Sequence, residues 1–189
     1  MKKRQHQGDD TGELIRILKD AGCKRNVIRH TIAVYGLATL LATRLYLRGI
    51  EVDFDLLRVG VLLHDIGRAE THTVKHGYVG AQLVRERGFN EEIACIVERH
   101  VGGGISREEA VKLGLPPRDF LPKTVEEKIV CYADKLAGPH NVISFEKALQ
   151  GFKRELGADH EAIRRLKELH LEMEGLLDGE RIELSYRGP

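Results

Sequence analysis

The sequence has few of the residues that cross-link small secreted proteins, and it has no long apolar run. Its 189 residues contain no tryptophan and only three cysteines, Cys23, Cys95 and Cys131, which lie far apart. An odd number of widely spaced cysteines argues against a disulfide framework or a CxxC metal knot, so we expect reduced thiols. No run of about 18 apolar residues occurs, and no apolar segment follows the basic N-terminus, so neither a membrane helix nor a secretory signal is expected. These absences predict a cytoplasmic protein with no membrane partner.

An excess of charge of either sign is also missing. Thirty lysines and arginines face 29 aspartates and glutamates, and the formal net charge is +1. Without a general basic excess, a nucleic-acid polymer is not an expected partner. The balance still permits a local basic pocket that binds a small phosphorylated molecule.

Helical periodicity fills most of the chain, and hairpin signals are missing. Apolar residues recur at helical spacing, and glycines such as Gly22 and Gly49 end the periodic segments. The predicted helices span 11–22, 24–49, 53–67, 76–87, 90–100, 106–113, 124–137, 143–156 and 159–177. The pattern predicts an all-α fold, a single-domain bundle of about eight or nine helices.

The predicted domain organisation is simple. Residues 1–10 are expected to form a disordered tail and 11–180 one helical domain, with a metal-site core at about 26–138. A C-terminal helical pair at about 141–178 carries no candidate ligand. Its amphipathic second helix is expected to pack on the bundle or to form a homodimer contact, with His160 and His170 on the surface.

Polar side chains lie on the apolar faces of five predicted helices. His30 shares a helix face with Val34 and Leu37, and His64 and Asp65 follow Val61 by three and four residues. The same spacing places three more on inward faces, namely His76, His100 and Asp134. One such histidine is usually a core residue bonded to a backbone carbonyl, and one such aspartate is usually a cap or half of an ion pair.

Taken together, the six residues indicate a metal site. Buried imidazoles and carboxylates are costly without partners, and a shared cation provides a partner for all of them. Imidazole with carboxylate and no thiolate suits Fe, Mn, Zn, Ni or Co, with Mg as an alternative. Six ligands exceed what one catalytic ion needs, whereas two ions sharing a bridging carboxylate at about 3.5–4 Å would use them all.

The ordered set His30, His64-Asp65 and Asp134 resembles the H…HD…D signature of the HD superfamily of metal-dependent phosphohydrolases. Its local form here is "HDIG", and the resemblance covers about 26–138. The resemblance implies an all-α fold and a divalent metal held by these four residues. It also implies hydrolysis of phosphate esters, typically those of nucleotides. The whole-chain pattern, with "LGLP" and "YADKL", looks most like small archaeal HDIG-domain proteins.

Two further histidines look like those of the two-metal members of this superfamily. By that resemblance, Asp65 would bridge two ions while His76 and His100 would hold the second one. His72 lies four residues before His76 and is the alternative ligand. His100 is followed by "VGGGIS", which departs from the pattern of the cyclic-di-GMP phosphodiesterases, so that specificity is not expected.

Substrate phosphates need cations or backbone amides. Arg68 directly follows the HDIG turn and Lys135 directly follows Asp134, so both are candidates for catalytic and phosphate contacts beside His64 and Asp65. Lys75 and the amides around Gly103 are weaker candidates for substrate binding. The alternatives are solvent-exposed rim residues for the cations, and a turn for the glycines.

The leading functional hypothesis is therefore an enzyme, a phosphohydrolase acting on a nucleotide or a related small phosphate. A divalent metal would lower the pKa of a bound water, and the resulting hydroxide would attack phosphorus in line. The alternative is a non-catalytic sensor that binds a nucleotide in the same pocket. A helical interaction protein with a structural metal is a third option, against which the excess of ligands counts.

Overall fold

The computed structural model describes residues 10–138 and 141–177, and within these ranges it is all-helical. Nine α-helices follow one another in the described residues, and a short 3₁₀ turn, Ile66–Ala69, separates the third from the fourth. They are α1 Thr11–Asp20, α2 Arg25–Leu47, α3 Phe54–Leu63, α4 His76–Glu86, α5 Glu91–Arg99, α6 Arg107–Lys112, α7 Val125–Leu136, α8 Phe145–Leu156 and α9 Glu161–Leu176. The predicted all-α bundle is confirmed. The predicted tail lies, apart from Asp10, outside the described residues, and the predicted domain boundaries remain predictions.

Side-chain caps fix where several helices begin. Asp53 accepts the Leu56 N–H at the start of α3, and Asn90 accepts the Ile93 N–H at the start of α5. One prediction is corrected at the end of α3, which stops at Leu63 and does not reach Gly67. The chain tightens there into the 3₁₀ turn, so the two residues after Leu63 lie at a helix end.

The longest helix, α2, runs through the middle of the bundle and contributes to two apolar cores. Its C-terminal two-thirds pack with α7 and α9 through residues such as Leu41, Val130 and Met173. Its first turn packs with α1, α3, α4 and α5 around residues such as Leu62 and Val97. Each fully buried leucine contributes about 2 kcal/mol relative to an exposed one, so these cores hold the inner helix ends in fixed positions.

The C-terminal pair, α8 and α9, covers one side of α7. The apolar face of α9 is buried against the bundle through Ile163, Leu166, Leu169 and Met173. His160 is exposed, as predicted, but the surface assignment of His170 is wrong. The His170 ring stacks on Phe145 and accepts a hydrogen bond from the Tyr132 hydroxyl, which the sequence pattern did not reveal. No helix among the described residues is long and apolar enough to cross a bilayer.

Candidate metal centre

The six predicted ligands lie together at a point where α3, α4, α5 and α7 have one end and where α2 runs past. His64 is the residue directly after α3, His100 directly follows α5, and His76 is the first residue of α4. His30 lies in the second turn of α2 and Asp134 in the last turn of α7, while Asp65 precedes the 3₁₀ turn. Helices that end at one point bring residues together that are up to 104 positions apart in the chain.

One side of the site is formed around Asp134. His30 Nε2 donates to Asp134 Oδ1 at 2.8 Å, and His64 Nε2 lies 3.6 Å from the same oxygen. The His64 nitrogen is also 3.9 Å from Asp65 Oδ2. His64 is fully buried, whereas the His30 side chain is 30% exposed, so this side of the site opens toward solvent at α2.

The other side is formed around the second oxygen of Asp65. Asp65 Oδ1 lies 3.2 Å from His76 Nε2 and 3.5 Å from His100 Nε2, and these two ring nitrogens are 3.1 Å apart. All three side chains are nearly inaccessible to solvent. Three overlapping triads therefore offer nitrogen and oxygen atoms within 4.8 Å of one another: His30-His64-Asp65, His64-His100-Asp134 and Asp65-His76-His100.

Three of the four histidines are oriented in the same way. The Nδ1 atoms of His64, His76 and His100 lie 2.6–2.7 Å from the carbonyl oxygens of the residues three positions earlier, Val61, Thr73 and Val97. A carbonyl oxygen only accepts, so each Nδ1 carries the proton and donates it. Each Nε2 is then free to offer its lone pair toward the centre, as metal-bound histidines do.

Two buried atoms in the centre have no hydrogen-bond partner among the described residues. They are His64 Nε2 and Asp65 Oδ1, and both are inaccessible to solvent. An unsatisfied buried polar atom costs about 1–3 kcal/mol, and more where it is charged. A divalent cation between these atoms would satisfy both, and the imidazole and carboxylate donors match transition-metal preferences. The residues present therefore fit a metal.

The electrostatics of the centre also favour a positive charge. Burial acts to raise the pKa of Asp65, but the imidazoles of His64, His100 and His76 outweigh it and hold that pKa below its usual range. Burial lowers the pKa of His100 to about 4, which keeps the ring neutral. Burial also acts to lower the pKa of His64, yet Asp65 and Asp134 outweigh it and raise that pKa. The two acids thus favour a cation at His64 Nε2, the position that a metal would take.

Two basic side chains already contact the acids. Arg68 Nε donates to Asp65 Oδ2 at 2.7 Å, and the Arg68 side chain remains 31% exposed. Lys135 Nζ contacts Asp134 Oδ2 and donates to the His100 carbonyl oxygen at 3.0 Å, and its side chain is only 8% exposed. Arg68 can therefore reach a ligand from solvent, whereas the Lys135 ammonium is occupied within the protein.

The remaining candidates lie farther from the triads. Lys75 is exposed, and its ammonium lies near Gly114, because a Cβ added to Gly114 would be 3.4 Å from Lys75 Nζ. Gly103 is buried against α9, where an added Cβ would lie 2.9 Å from the Leu166 nitrogen. His72 is exposed and belongs to none of the three triads of the described residues. The substrate roles of Lys75 and Gly103 remain predictions.

The glycine of "HDIG" has a packing role that the motif alone does not reveal. A Cβ at Gly67 would lie 2.0 Å from the His76 carbonyl oxygen and 2.6 Å from the Gly80 nitrogen. Only glycine allows the 3₁₀ turn to approach the first turn of α4 so closely. This contact fixes the distance between Asp65 and His76.

Comparison with known proteins finds a family match over the part of the chain that contains all six proposed ligands. The HD domain family profile matches residues 27–138. An uncharacterized protein of Methanocaldococcus jannaschii is 47% identical over 163 residues, which cover 86% of this chain and 96% of that protein. The tRNA (cytidine(56)-2'-O)-methyltransferase of Picrophilus torridus is 37% identical over 88% of this chain, but this chain spans only 47% of that enzyme.

Solved structures show the same fold. Two crystal structures of the HD domain of the Listeria monocytogenes phosphodiesterase PgpH, one of them in complex with cyclic-di-AMP, match with a TM-score of 0.50 at 17% identity. The matches cover 88% and 92% of this chain and 97% and 99% of the PgpH domain.

Proposed function

The chain belongs to the HD domain family, and we propose that it is a metal-dependent phosphohydrolase of that superfamily, acting on a nucleotide or a related small phosphate. The observation that carries the proposal is the pair of buried unsatisfied atoms, His64 Nε2 and Asp65 Oδ1, at the centre of three overlapping ligand triads. In a site that only stabilised the fold, a buried imidazole nitrogen and a buried carboxylate oxygen without partners would both be costly.

In this proposal the six side chains His30, His64, Asp65, His76, His100 and Asp134 hold one or two divalent transition-metal ions. Asp65 contributes to two triads through different oxygens, which suits a bridging role. A bound divalent cation supplies an activated water for in-line attack on phosphorus and neutralises charge on the phosphoryl oxygens. The native metal is one of Fe, Mn, Zn, Ni or Co.

The protein residues around the ions have separate tasks. The partly exposed Arg68 guanidinium binds a non-bridging phosphate oxygen while its Nε keeps Asp65 in place. Lys135 holds Asp134 and the end of α5 in position, which is a positioning role and not the phosphate contact expected from the sequence. The PgpH complex shows that an HD domain of this fold accommodates a nucleotide, which supports a nucleotide as the substrate class.

The location proposed is the cytoplasm, where the three free cysteines would remain reduced. The methyltransferase relative is about twice as long as this chain, and no methyl transfer is proposed from that likeness.

Metal analysis and a substrate panel test the function. Purified protein is analysed for bound metals, then incubated with nucleoside mono-, di- and triphosphates, dinucleoside polyphosphates, cyclic nucleotides and an RNA oligonucleotide. We expect a bound transition metal and phosphate release or phosphodiester cleavage from a small nucleotide, both lost in His64→Ala. Asp55→Ala, a change at an exposed aspartate of α3 outside the triads, is the control and should keep both.

Two results would contradict the proposal. If His64→Ala retains metal and activity, the reaction centre lies elsewhere. If the wild-type protein binds metal and hydrolyses nothing in the panel, the non-catalytic sensor replaces the enzyme.

A further inference from the structure

A mainly apolar cavity is lined in part by residues that lie within two positions of the proposed ligands His76 and His100 in the chain. It has a volume of about 240 Å³ and is enclosed between the chain segment 101–105, α6 and the α8–α9 pair. Its apolar wall includes Val101, Ile105, Phe152 and Leu156. Val74 and Leu156 line it and are 42% and 38% exposed, so part of this apolar surface is left open to solvent.

The size of the cavity limits what it can hold. An apolar cavity of about 150 Å³ already binds benzene, so 240 Å³ accommodates a planar ring of purine or pyrimidine size. A whole nucleotide is too large, and its sugar and phosphates would have to lie outside. The half-buried Phe152 ring provides an aromatic surface for such a planar group.

The polar lining of the cavity consists of Glu109, Lys112, Glu155, His160 and Arg165, and Arg165 favours a ring that carries hydrogen-bond acceptors. Arg165 lines the cavity, and its Nη2 atom is bonded to Glu109 and to the Gly104 carbonyl oxygen. Its Nε atom is buried and has no hydrogen-bond partner among the described residues. An aliphatic occupant would leave that buried donor without a hydrogen bond, whereas the ring nitrogens and carbonyls of a nucleobase would accept from it.

The cavity and the metal centre share two chain segments. Val101 directly follows His100, and Val74 precedes His76 by two residues, so the cavity wall begins one or two Cα steps of about 3.8 Å from two proposed ligands. These two shared segments place the cavity beside the part of the chain that carries the Asp65-His76-His100 triad.

We propose that this cavity binds the nucleobase of the substrate. The inference rests on the proposed function, because it assigns the cavity to the organic part of the molecule whose phosphate lies at the metal centre. The cavity thereby determines substrate class, favouring a nucleotide over a phosphorylated sugar or inorganic pyrophosphate.

Binding of phosphate-free nucleosides tests the cavity independently of catalysis. Adenosine, guanosine, cytidine and uridine are titrated into the full-length protein, and binding is followed by ligand-observed NMR. Leu156→Trp fills the rim of the cavity, and Leu171→Trp places the same side chain at an exposed leucine of α9 that does not line it. We expect at least one nucleoside to bind wild type and Leu171→Trp equally, and to bind Leu156→Trp about tenfold more weakly or worse.

Kinetics then connect the cavity to the reaction. With a nucleotide that the wild-type protein hydrolyses, Leu156→Trp should raise KM about tenfold, while turnover of pyrophosphate or ribose 5-phosphate, which lack a base, is unchanged. Circular dichroism and metal content confirm that both tryptophan variants are folded and loaded.

The outcomes separate the two proposals. If no nucleoside binds, or if the two tryptophan variants behave alike, the cavity proposal is wrong even where phosphate release shows that the enzyme assignment is right. If a nucleoside binds in the cavity and no phosphorylated compound is hydrolysed, the enzyme assignment fails and the cavity is a nucleoside-binding site of a sensor.

Discussion

Asp65 and Glu98 are both buried carboxylates near the end of a helix, but their surroundings differ. Glu98 in α5 has no exposed side-chain surface, and Arg118 donates to both of its oxygens at 2.7 and 2.9 Å. Arg85 adds a third hydrogen bond at 3.2 Å. Asp65 has one oxygen bonded to Arg68, while its other oxygen has no hydrogen-bond partner and faces the imidazoles of His76 and His100.

The difference separates an acid whose partners all lie within the protein from the acid that we propose to bind metal. The carboxylate of Glu98 is fully satisfied by the protein, so it connects α4, α5 and the segment before α7 and requires nothing further. Asp65 Oδ1 has no hydrogen-bond partner, and the two apolar cores hold this residue in a fixed position. A buried oxygen without a partner is costly unless a ligand binds it. Burial alone does not distinguish the two acids, whereas the hydrogen-bond partners do.

The largest expected effect is at Asp65. Asp65→Asn removes the charge and one metal-binding oxygen, so metal content should fall and phosphate release should decrease on the order of 10³-fold. Circular dichroism of the metal-free variant checks that it is folded, because the contacts of Asp65 with Arg68 and with the nearby imidazoles are also weakened. The control Asp55→Asn changes an exposed aspartate of α3 and should leave metal and activity as they are. An Asp65→Asn protein that keeps its full metal content would remove the contrast with Glu98.

An intermediate effect is expected at Glu98, where the stability of the fold should change and the metal content should not. Glu98→Gln weakens the hydrogen bonds to Arg85 and Arg118, and we expect the free energy of unfolding to fall by about 2 kcal/mol while metal content is unchanged. The figure allows for the 43% exposure of Arg118, which can regain water. Glu168→Gln, in a solvent-exposed pair with Arg164, is the control and should show no measurable change. Loss of metal in Glu98→Gln with normal stability would show that Glu98 serves the site.

The smallest effect is expected at Lys135. Lys135→Met keeps all six proposed ligands but removes the contacts to Asp134 and to the His100 carbonyl, so calorimetry should show about tenfold weaker metal binding. Lys128 lies on the same helix as Lys135 and forms an ion pair with Glu172 of α9. The control variant Lys128→Met removes that ion pair and should bind metal normally. If Lys135→Met binds metal normally and instead raises KM, then Lys135 contacts the substrate, as the sequence predicted. The positioning role is wrong in that case.

Much of the fold was predictable because helical periodicity is a local property. Eight of the nine predicted helix ranges contain the observed helices within about two residues at each end, and the exception, 53–67, failed because a 3₁₀ turn continues the same apolar spacing. His170 was misplaced for a related reason, since its partners Tyr132 and Phe145 lie on other helices. The carbonyls of Val61 and Val97, which orient His64 and His100, lie in the last turns of α3 and α5, so these contacts become predictable only once the helix ends are known.

The sequence by itself determined the helices and the inward position of six metal-capable side chains, because spacing along one helix decides which residues share a face. Only the tertiary structure decided that Asp65 serves two triads through different oxygens and that Lys135 reaches the His100 carbonyl. The tertiary structure also decided that Val101 and Leu156 line one cavity. Lys135 and His100 are 35 positions apart in the chain, and the distance between them depends on how the helices pack, which no local pattern encodes.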